Sequence, residues 1–311
     1  MKLPYNDYGS TMQQRLGGRV QKLAIDAGLG CPNRDGNIGY GGCTFCRNDA
    51  FSPSYCREHF SITEQIDSAL KFHTARRRHG DINLAYFQSG SNTYADISHL
   101  EKIYSEALSH PSIGGLIVGT RADCINSEKL DLLDYLSHSK YVAIEYGIES
   151  VYDTTLQRIN RGHNFQTVER AIETTRQRGI DVGGHLIVGL IDESRKEIID
   201  SMERINSLSL NFIKFHQLQI YHSTPMAEEW QRNPERFLFG RANSADSYID
   251  LIIELLRHLD PSIAIERVVS SAPHHLLLHS PLGGLRPDVV RQRIIERMNR
   301  LNIRQGDAIL D

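Results

Sequence analysis

The sequence predicts an α/β fold, a partial (β/α)6 barrel followed by a C-terminal α/β extension. Three observations carry this. Short β-rich runs alternate with amphipathic stretches from Val20 to Ile220. Several runs, such as Gly115-Leu116-Ile117-Val118 and Leu186-Ile187-Val188, are apolar without a break, which suits strands covered on both faces in a parallel sheet. After about Tyr221 the rhythm stops, interrupted by Pro225, the polar stretch 231–235 and Gly240.

The strand segments are 20–27, 82–88, 113–119, 141–148, 181–189 and 212–220. Helical signals fill the gaps. Ser61-Ile62-Thr63-Glu64 reads as a capping box, followed by Ile66, Ala69, Leu70 and His73 at helical spacing. Asp96 is placed to cap a helix carrying Leu100, Ile103, Tyr104 and Ala107. Asn126 caps one carrying Leu130, Leu133 and Leu136, and Asn164 one that ends near Gly179. Glu193 opens the next, with Ile198, Met202 and Ile205 on one face. Strands joined through helices imply right-handed crossovers. Six units are too few for a closed eight-stranded barrel, so an open or partial barrel is expected, with a doubly wound sheet as the alternative. In both, the working residues gather at the carboxyl ends of the strands.

The extension reads as a helix over 244–259, a strand over 262–269, an irregular Pro, His and Gly segment, and a basic helix over 288–302. The chain thus divides into a core at 1–235 and an extension at 236–311. Ile249, Ile252, Ile253 and Leu256 give the extension an apolar face that needs the core as its partner.

Composition excludes several classes. Among 311 residues, 35 Lys and Arg against 38 Asp and Glu leave a net charge of −3, and 40% are apolar. That is neither a disordered chain nor a basic coat for nucleic acid. No stretch approaches the roughly 18 unbroken apolar residues of a membrane span, and the first residues form no apolar signal segment. A cytoplasmic protein without membrane contact is expected, so the five cysteines are not read as a disulfide framework.

The loop after the first strand is the most informative stretch. It holds Cys31, Cys43 and Cys46 in a C-x11-C-x2-C pattern among Gly28, Gly30, Gly36, Gly39, Gly41 and Gly42. Glycines let a loop fold tightly about one centre. Three thiolates are one short of a tetrahedral zinc site and one short of the usual four of an iron–sulfur cubane. The spacing alone fits both. In the zinc reading, Cys56 or His59 supplies a fourth ligand and the protein is a non-catalytic binding module or scaffold.

Cys31-Pro32-Asn33-Arg34-Asp35-Gly36 and Gly41-Gly42-Cys43-Thr44-Phe45-Cys46, placed after the first strand, resemble the radical S-adenosylmethionine (SAM) superfamily. The longer spacing is similar to the branch that includes the Elongator catalytic subunit, and most of all to a small, functionally undefined bacterial subfamily. The resemblance runs from about residue 8 to about residue 260. It implies a [4Fe-4S] cluster on the three cysteines and SAM on the open iron. The reduced cluster then cleaves SAM to a 5′-deoxyadenosyl radical, with electrons from an external donor.

The resemblance also assigns the other strand ends. Gly90 and Ser91 stand where the superfamily receives the SAM amino group, though only Gly90 keeps the glycine of that turn. Glu149, in Glu145-Tyr146-Gly147-Ile148-Glu149-Ser150, takes the ribose hydroxyls, and Arg161 takes the carboxylate. In His185-Leu186-Ile187-Val188-Gly189-Leu190-Ile191-Asp192-Glu193, Gly189 admits the adenine, with Asp192 or Glu193 at the acidic position. Thr120, Arg121 and Asp123, and then Lys214, His216 and Gln217, are further pocket candidates. No catalytic residue is singled out.

Other features read as structural. Cys56 and Cys124 are idle thiols, and Arg76-Arg77-Arg78-His79 is a solvated helix end. His274, His275 and His279 belong to a surface loop, and Arg291, Arg293, Arg297 and Arg300 to an amphipathic helix. There is no second cysteine cluster, and 311 residues leave no room for the acetyltransferase domain of Elongator relatives. The substrate stays open between a small molecule, a protein and tRNA.

Overall fold

A computed structural model of the chain describes residues 3–47, 50, 53, 55–56, 60–76, 80–241 and 245–309. His59, the Arg77-Arg78-His79 run and Ser244 lie outside them. The main strands are β1 (Val20–Ile25), β2 (Ile82–Phe87), β3 (Ile113–Thr120), β4 (Tyr141–Glu149), β5 (Asp181–Val188) and β6 (Phe212–Gln217). A short β7 (Ile220–Tyr221) follows, then β8 (Ala264–Arg267) and β9 (Leu277–His279). The helices are α1 (Tyr8–Leu16), α2 (Ile62–Ala75), α3 (Ile97–Ser109), α4 (Ser127–Ser137), α5 (Asp153–Arg158) and α6 (Phe165–Arg176). They continue with α7 (Arg195–Ser207), α8 (Pro225–Arg232), α9 (Ala245–Arg257) and α10 (Pro287–Arg300).

Among the described residues, seven strands form one sheet in the order β1-β2-β3-β4-β5-β6-β8, every pair parallel. The order never reverses, so the sheet lacks the switch point of a doubly wound fold and curls as a half-barrel. The expected strand at 262–269 does more than pack on the core, because β8 joins the sheet beside β6. The curl brings the two edges face to face. Lys22 on β1 reaches Glu266 on β8 at 2.6 Å, although five strands lie between them in the sheet. The outer edge of β8 is covered by the chain start, with Ile265 N donating to Asn6 O at 2.7 Å.

The helices form where the local chemistry places them. Ser61 with Glu64 makes the capping box of α2, and Asp96, Asn126 and Asn164 cap α3, α4 and α6. The next helix opens one residue later than expected: Ser194 is the N-cap of α7, boxed with Glu197, and Glu193 stays outside. Pro225 starts α8 at a position that needs no N–H. Ile249, Ile252, Ile253 and Leu256 of α9 share the main apolar core with the outer faces of the strands.

Alternate strand residues point inward and build the lumen in layers. Its floor is apolar: Tyr8 and Met12 of α1 plug it against Leu84, Ala143, Phe212 and Ala264. Tyr8 lies on Phe212 with ring centroids 4.9 Å apart. Above the floor runs a charged layer, which forms the inner end of a cavity of about 380 Å³ at the carboxyl ends.

Candidate active site

The cysteine loop is held over the cavity from two sides. Gly41 and Gly42 adopt positive φ, and Arg34 packs where a Gly42 side chain would stand, 2.9 Å from its Cβ position. Asn160 donates to Gly42 O at 2.8 Å, and Thr44 N donates to Ile159 O at 2.9 Å, so the turn after α5 straps the loop. On the other side Ser91 N donates to Gly30 O at 3.1 Å. Cys31, Cys43 and Cys46 all border the cavity. Among the described residues no three His, Cys, Asp or Glu side chains converge on a point that would hold a single metal ion. Ligands of a cubane bind different irons and need no such convergence. Burial pushes the Cys46 thiol up, against the pull of Arg34.

The other two cysteines are occupied elsewhere. Cys56 donates to Ala24 O at 3.1 Å, and burial helped by Asp26 pushes its thiol up to about 12. Cys124 is buried, and burial pushes it up to about 11. Neither borders the cavity.

At the end of β2, Gly90 lines the cavity with φ at 75°. A side chain there would run into the carbonyl oxygens of Leu29 and Gly30, so the crossing of the cysteine loop demands glycine. Ser91 turns away from the cavity. Its hydroxyl meets Thr120 Oγ1 at 3.0 Å and accepts from Arg121 N at 3.3 Å. Ser89, which the sequence reading passed over, borders the cavity in its place.

Two arginines face the thiols. Arg161 is 6% exposed; its Nη2 donates to Gly147 O at 2.6 Å, and its Nη1 lies 3.8 Å from Cys43 Sγ. Glu149, at a positive φ of 64°, stands 3.8 Å from the same guanidinium. Arg121 grips Asp123 through Nε at 2.8 Å and Nη2 at 2.6 Å, and donates to Arg161 O at 2.7 Å. Burial pushes the Asp123 carboxyl up, but the Arg121 fork outweighs it and holds the group below its usual value. One atom of each guanidinium, Arg161 Nε and Arg121 Nη1, is buried with no hydrogen-bond partner. Buried donors are nearly always paired, so these two suit an incoming anion. The residues present therefore fit a thiolate-held cluster with a carboxylate ligand beside it.

The turn after β5 is built differently from expectation. Gly189 has φ at 91°, and a Cβ there would stand 2.8 Å from the Phe239 ring, which fills that side. Asp192 pairs with Arg236 and Arg158. Glu193 is 8% exposed and accepts from Ser150, and burial pushes its carboxyl up to about 7. The wall of the cavity includes none of Gly189, Asp192 and Glu193.

The charged layer forms the inner end of the cavity, which Tyr86, Glu145, His185 and Lys214 line. Glu145 accepts from Lys22 at 2.7 Å, Tyr86 at 2.6 Å and His185 at 2.8 Å, and also from Lys214. Glu266 pairs with Lys22 at 2.6 Å and Lys214 at 3.2 Å. Burial pushes Glu145 up, but the two lysines overcome it and keep it far below the usual carboxylate range. Burial pulls Lys214 down to about 8. The strand motifs point to Lys214 and His185 but not to Lys22, Glu145, Tyr86 and Glu266 as a unit. The available signal was a polar residue set among apolar ones in three strands, Glu145 in β4, His185 in β5 and Lys214 in β6.

The comparisons with known proteins agree with this geometry. The chain matches the radical SAM superfamily over residues 28–205 and the radical SAM C-terminal domain over residues 210–300. It is 38% identical to protein YhcC of Escherichia coli strain K12 over 276 residues, 88% of this chain and 85% of that protein. It is 30% identical to protein MJ0486 of Methanocaldococcus jannaschii over 308 residues, 97% of this chain and 91% of that protein, so the likeness extends beyond bacteria. Among solved structures, archaeal Elp3 of Methanocaldococcus infernus with an N-terminal deletion superposes with a TM-score of 0.68 at 15% identity. That match covers 92% of this chain and 64% of the Elp3 chain, less than two thirds of it. With three cysteines on the loop after β1, a parallel half-barrel beneath them and family matches along most of its length, the chain belongs to the radical SAM superfamily.

Proposed function

We propose that this enzyme cleaves SAM reductively at a [4Fe-4S] cluster held by Cys31, Cys43 and Cys46, and that the resulting 5′-deoxyadenosyl radical takes a hydrogen atom from the substrate. One observation carries the reading: three thiols and two guanidinium groups with unpartnered buried N–H atoms border one cavity at the strand ends. When bound, the cluster supplies one electron to the sulfonium and an open iron for the amino and carboxylate groups of SAM.

The rest is work for the chain. Arg161 offers Nε to the carboxylate, while its Nη2 stays anchored on Gly147 O and fixes the fork. Glu149 accepts from the ribose hydroxyls. Gly90 keeps the backbone bare at the amino end, and Ser91 braces Thr120 and Arg121 from behind. Gly189 with Phe239 shapes the turn that approaches the adenine. The segment 236–311 completes the enclosure of the 1–235 core through β8 and keeps water from the radical. An external donor supplies the electron, in a cytoplasm that keeps the thiols reduced. The substrate is a small molecule, a protein or tRNA.

The test is anaerobic reconstitution with iron and sulfide, followed by absorbance and electron paramagnetic resonance spectra and measurement of 5′-deoxyadenosine. Wild type should load one cluster and release 5′-deoxyadenosine, and Cys31→Ala should do neither while keeping its circular dichroism. Full loading of Cys31→Ala, or stoichiometric zinc without iron in anaerobically isolated wild type, would overturn the reading.

A further inference from the structure

We propose that the wall formed by β6 and β8 receives an oxyanion of the substrate, a carboxylate or a phosphate, on Arg267 and His216. This rests on the reading that the substrate enters the cavity above the charged layer.

The charges at the inner end of the cavity balance among themselves. Lys22 and Lys214 each contact both Glu145 and Glu266, two cations against two anions. Arg267 stands outside this balance. Its side chain is exposed at the rim of the cavity it helps to line, and among the described residues that side chain has neither a hydrogen bond nor an ion pair. A regular strand would not put it there, since Glu266 already points inward and neighbours alternate.

The register explains the exception. Ile213 pairs with Ile265 but Lys214 pairs with Arg267, so two β8 residues, Glu266 and Arg267, stand opposite one β6 residue. Such a bulge re-aims a side chain, and bulges concentrate beside active sites. Here it turns a second charged residue toward the lumen.

A second observation comes from β6. His216 also lines the cavity, and its Nε2 is buried without a hydrogen-bond partner. Burial, with His185 and Arg267 nearby, holds the imidazole well below its usual value, so it is neutral and offers one N–H rather than a charge. The positive charge of Arg267 also bears on Lys214. The buried, unpartnered imidazole nitrogen calls for a partner, and the solvent-facing guanidinium beside it supplies charge, so an oxyanion can satisfy both. Arg121 and Arg161, assigned to SAM, follow β3 and α5, whereas His216 and Arg267 stand on β6 and β8.

The experiment is calorimetric titration of inorganic phosphate, and separately of succinate, into the purified chain without SAM. At least one should bind. Arg267→Gln should weaken that binding about tenfold, and His216→Phe should weaken it too, whereas Arg293→Gln on the exposed face of α10 should not. Binding of phosphate alone marks a phosphorylated substrate, and binding of succinate alone a carboxylate. Absence of binding by both anions, or wild-type affinity in folded Arg267→Gln, overturns the proposal. Because the titration needs no cluster, its failure leaves the SAM reading standing, and failed cluster assembly leaves the titration readable.

Discussion

Replacing Glu193 with Gln should change how the fold responds to pH. The carboxyl is 8% exposed and accepts from Ser150, and burial pushes it from its ordinary 4.5 up to about 7. The folded chain therefore holds a proton that the unfolded chain releases between those two values. Protonated Glu193 leaves stability intact below 4.5, and stability falls as pH rises through 7. With the unfolded group at 4.5, the loss is about 1 kcal/mol at about pH 5 and about 3 kcal/mol at about pH 8. A glutamine keeps an oxygen to accept from Ser150 and has no proton to lose. In urea unfolding followed by circular dichroism, Glu193→Gln should match wild type near the acidic end and exceed it by about 2–3 kcal/mol at about pH 8. Parallel pH profiles for the two proteins would refute the assignment and show that Glu193 ionises in the fold without penalty.

Arg161→Ala should weaken SAM binding by one to two decades, about 1.5–3 kcal/mol, while the cluster still loads, as read by equilibrium dialysis beside an iron assay. Glu145→Ala removes the acceptor shared by Lys22, Lys214, His185 and Tyr86, and should cost about 3–5 kcal/mol in urea unfolding. A chain cut after residue 235 loses β8 and α9, bares the β6 edge and the core face of α7, and should sediment with the insoluble fraction. Cys56→Ser should load a full cluster by iron and absorbance assay, because its thiol is bonded to Ala24 O away from the cavity.

The barrel was legible because its signals are local. Unbroken apolar runs and in-phase caps located β1 to β5 within a residue or two, together with α2, α3, α4 and α6; the expected strand 212–220 divides into β6 and β7, and the short α5 was not foreseen. The helix α1 was missed: Asp7 and Gly17 do cap it, but nothing nearby says that Tyr8 and Met12 plug a lumen built from residues far along the chain. The role of β8 was equally hidden, since four residues look alike whether they pack on a sheet or extend it. At the site, spacing and motifs were enough to put the three cysteines, Glu149 and Arg161 at the strand ends, where they line the cavity. Ser91, Asp192 and Glu193 could not, because motif position fixes the backbone and leaves open which way a side chain turns. The bulge that aims Arg267 inward is a register event between two strands and leaves no mark in either one.

The clasp between the two edges of the sheet also sets an order of events at the ribosome. Lys22 and Glu266 are 244 residues apart, and Asn6 N bonds Gln305 Oε1 across 299. Contacts of such span form late, since a long loop must close before they can act. The loop with Cys31, Cys43 and Cys46 is made well before β8, the strand that closes the opposite side of the lumen. Until then the three thiols face the surrounding solution rather than a finished chamber. The nascent chain therefore leaves an open approach to these thiols that the completed wall later narrows.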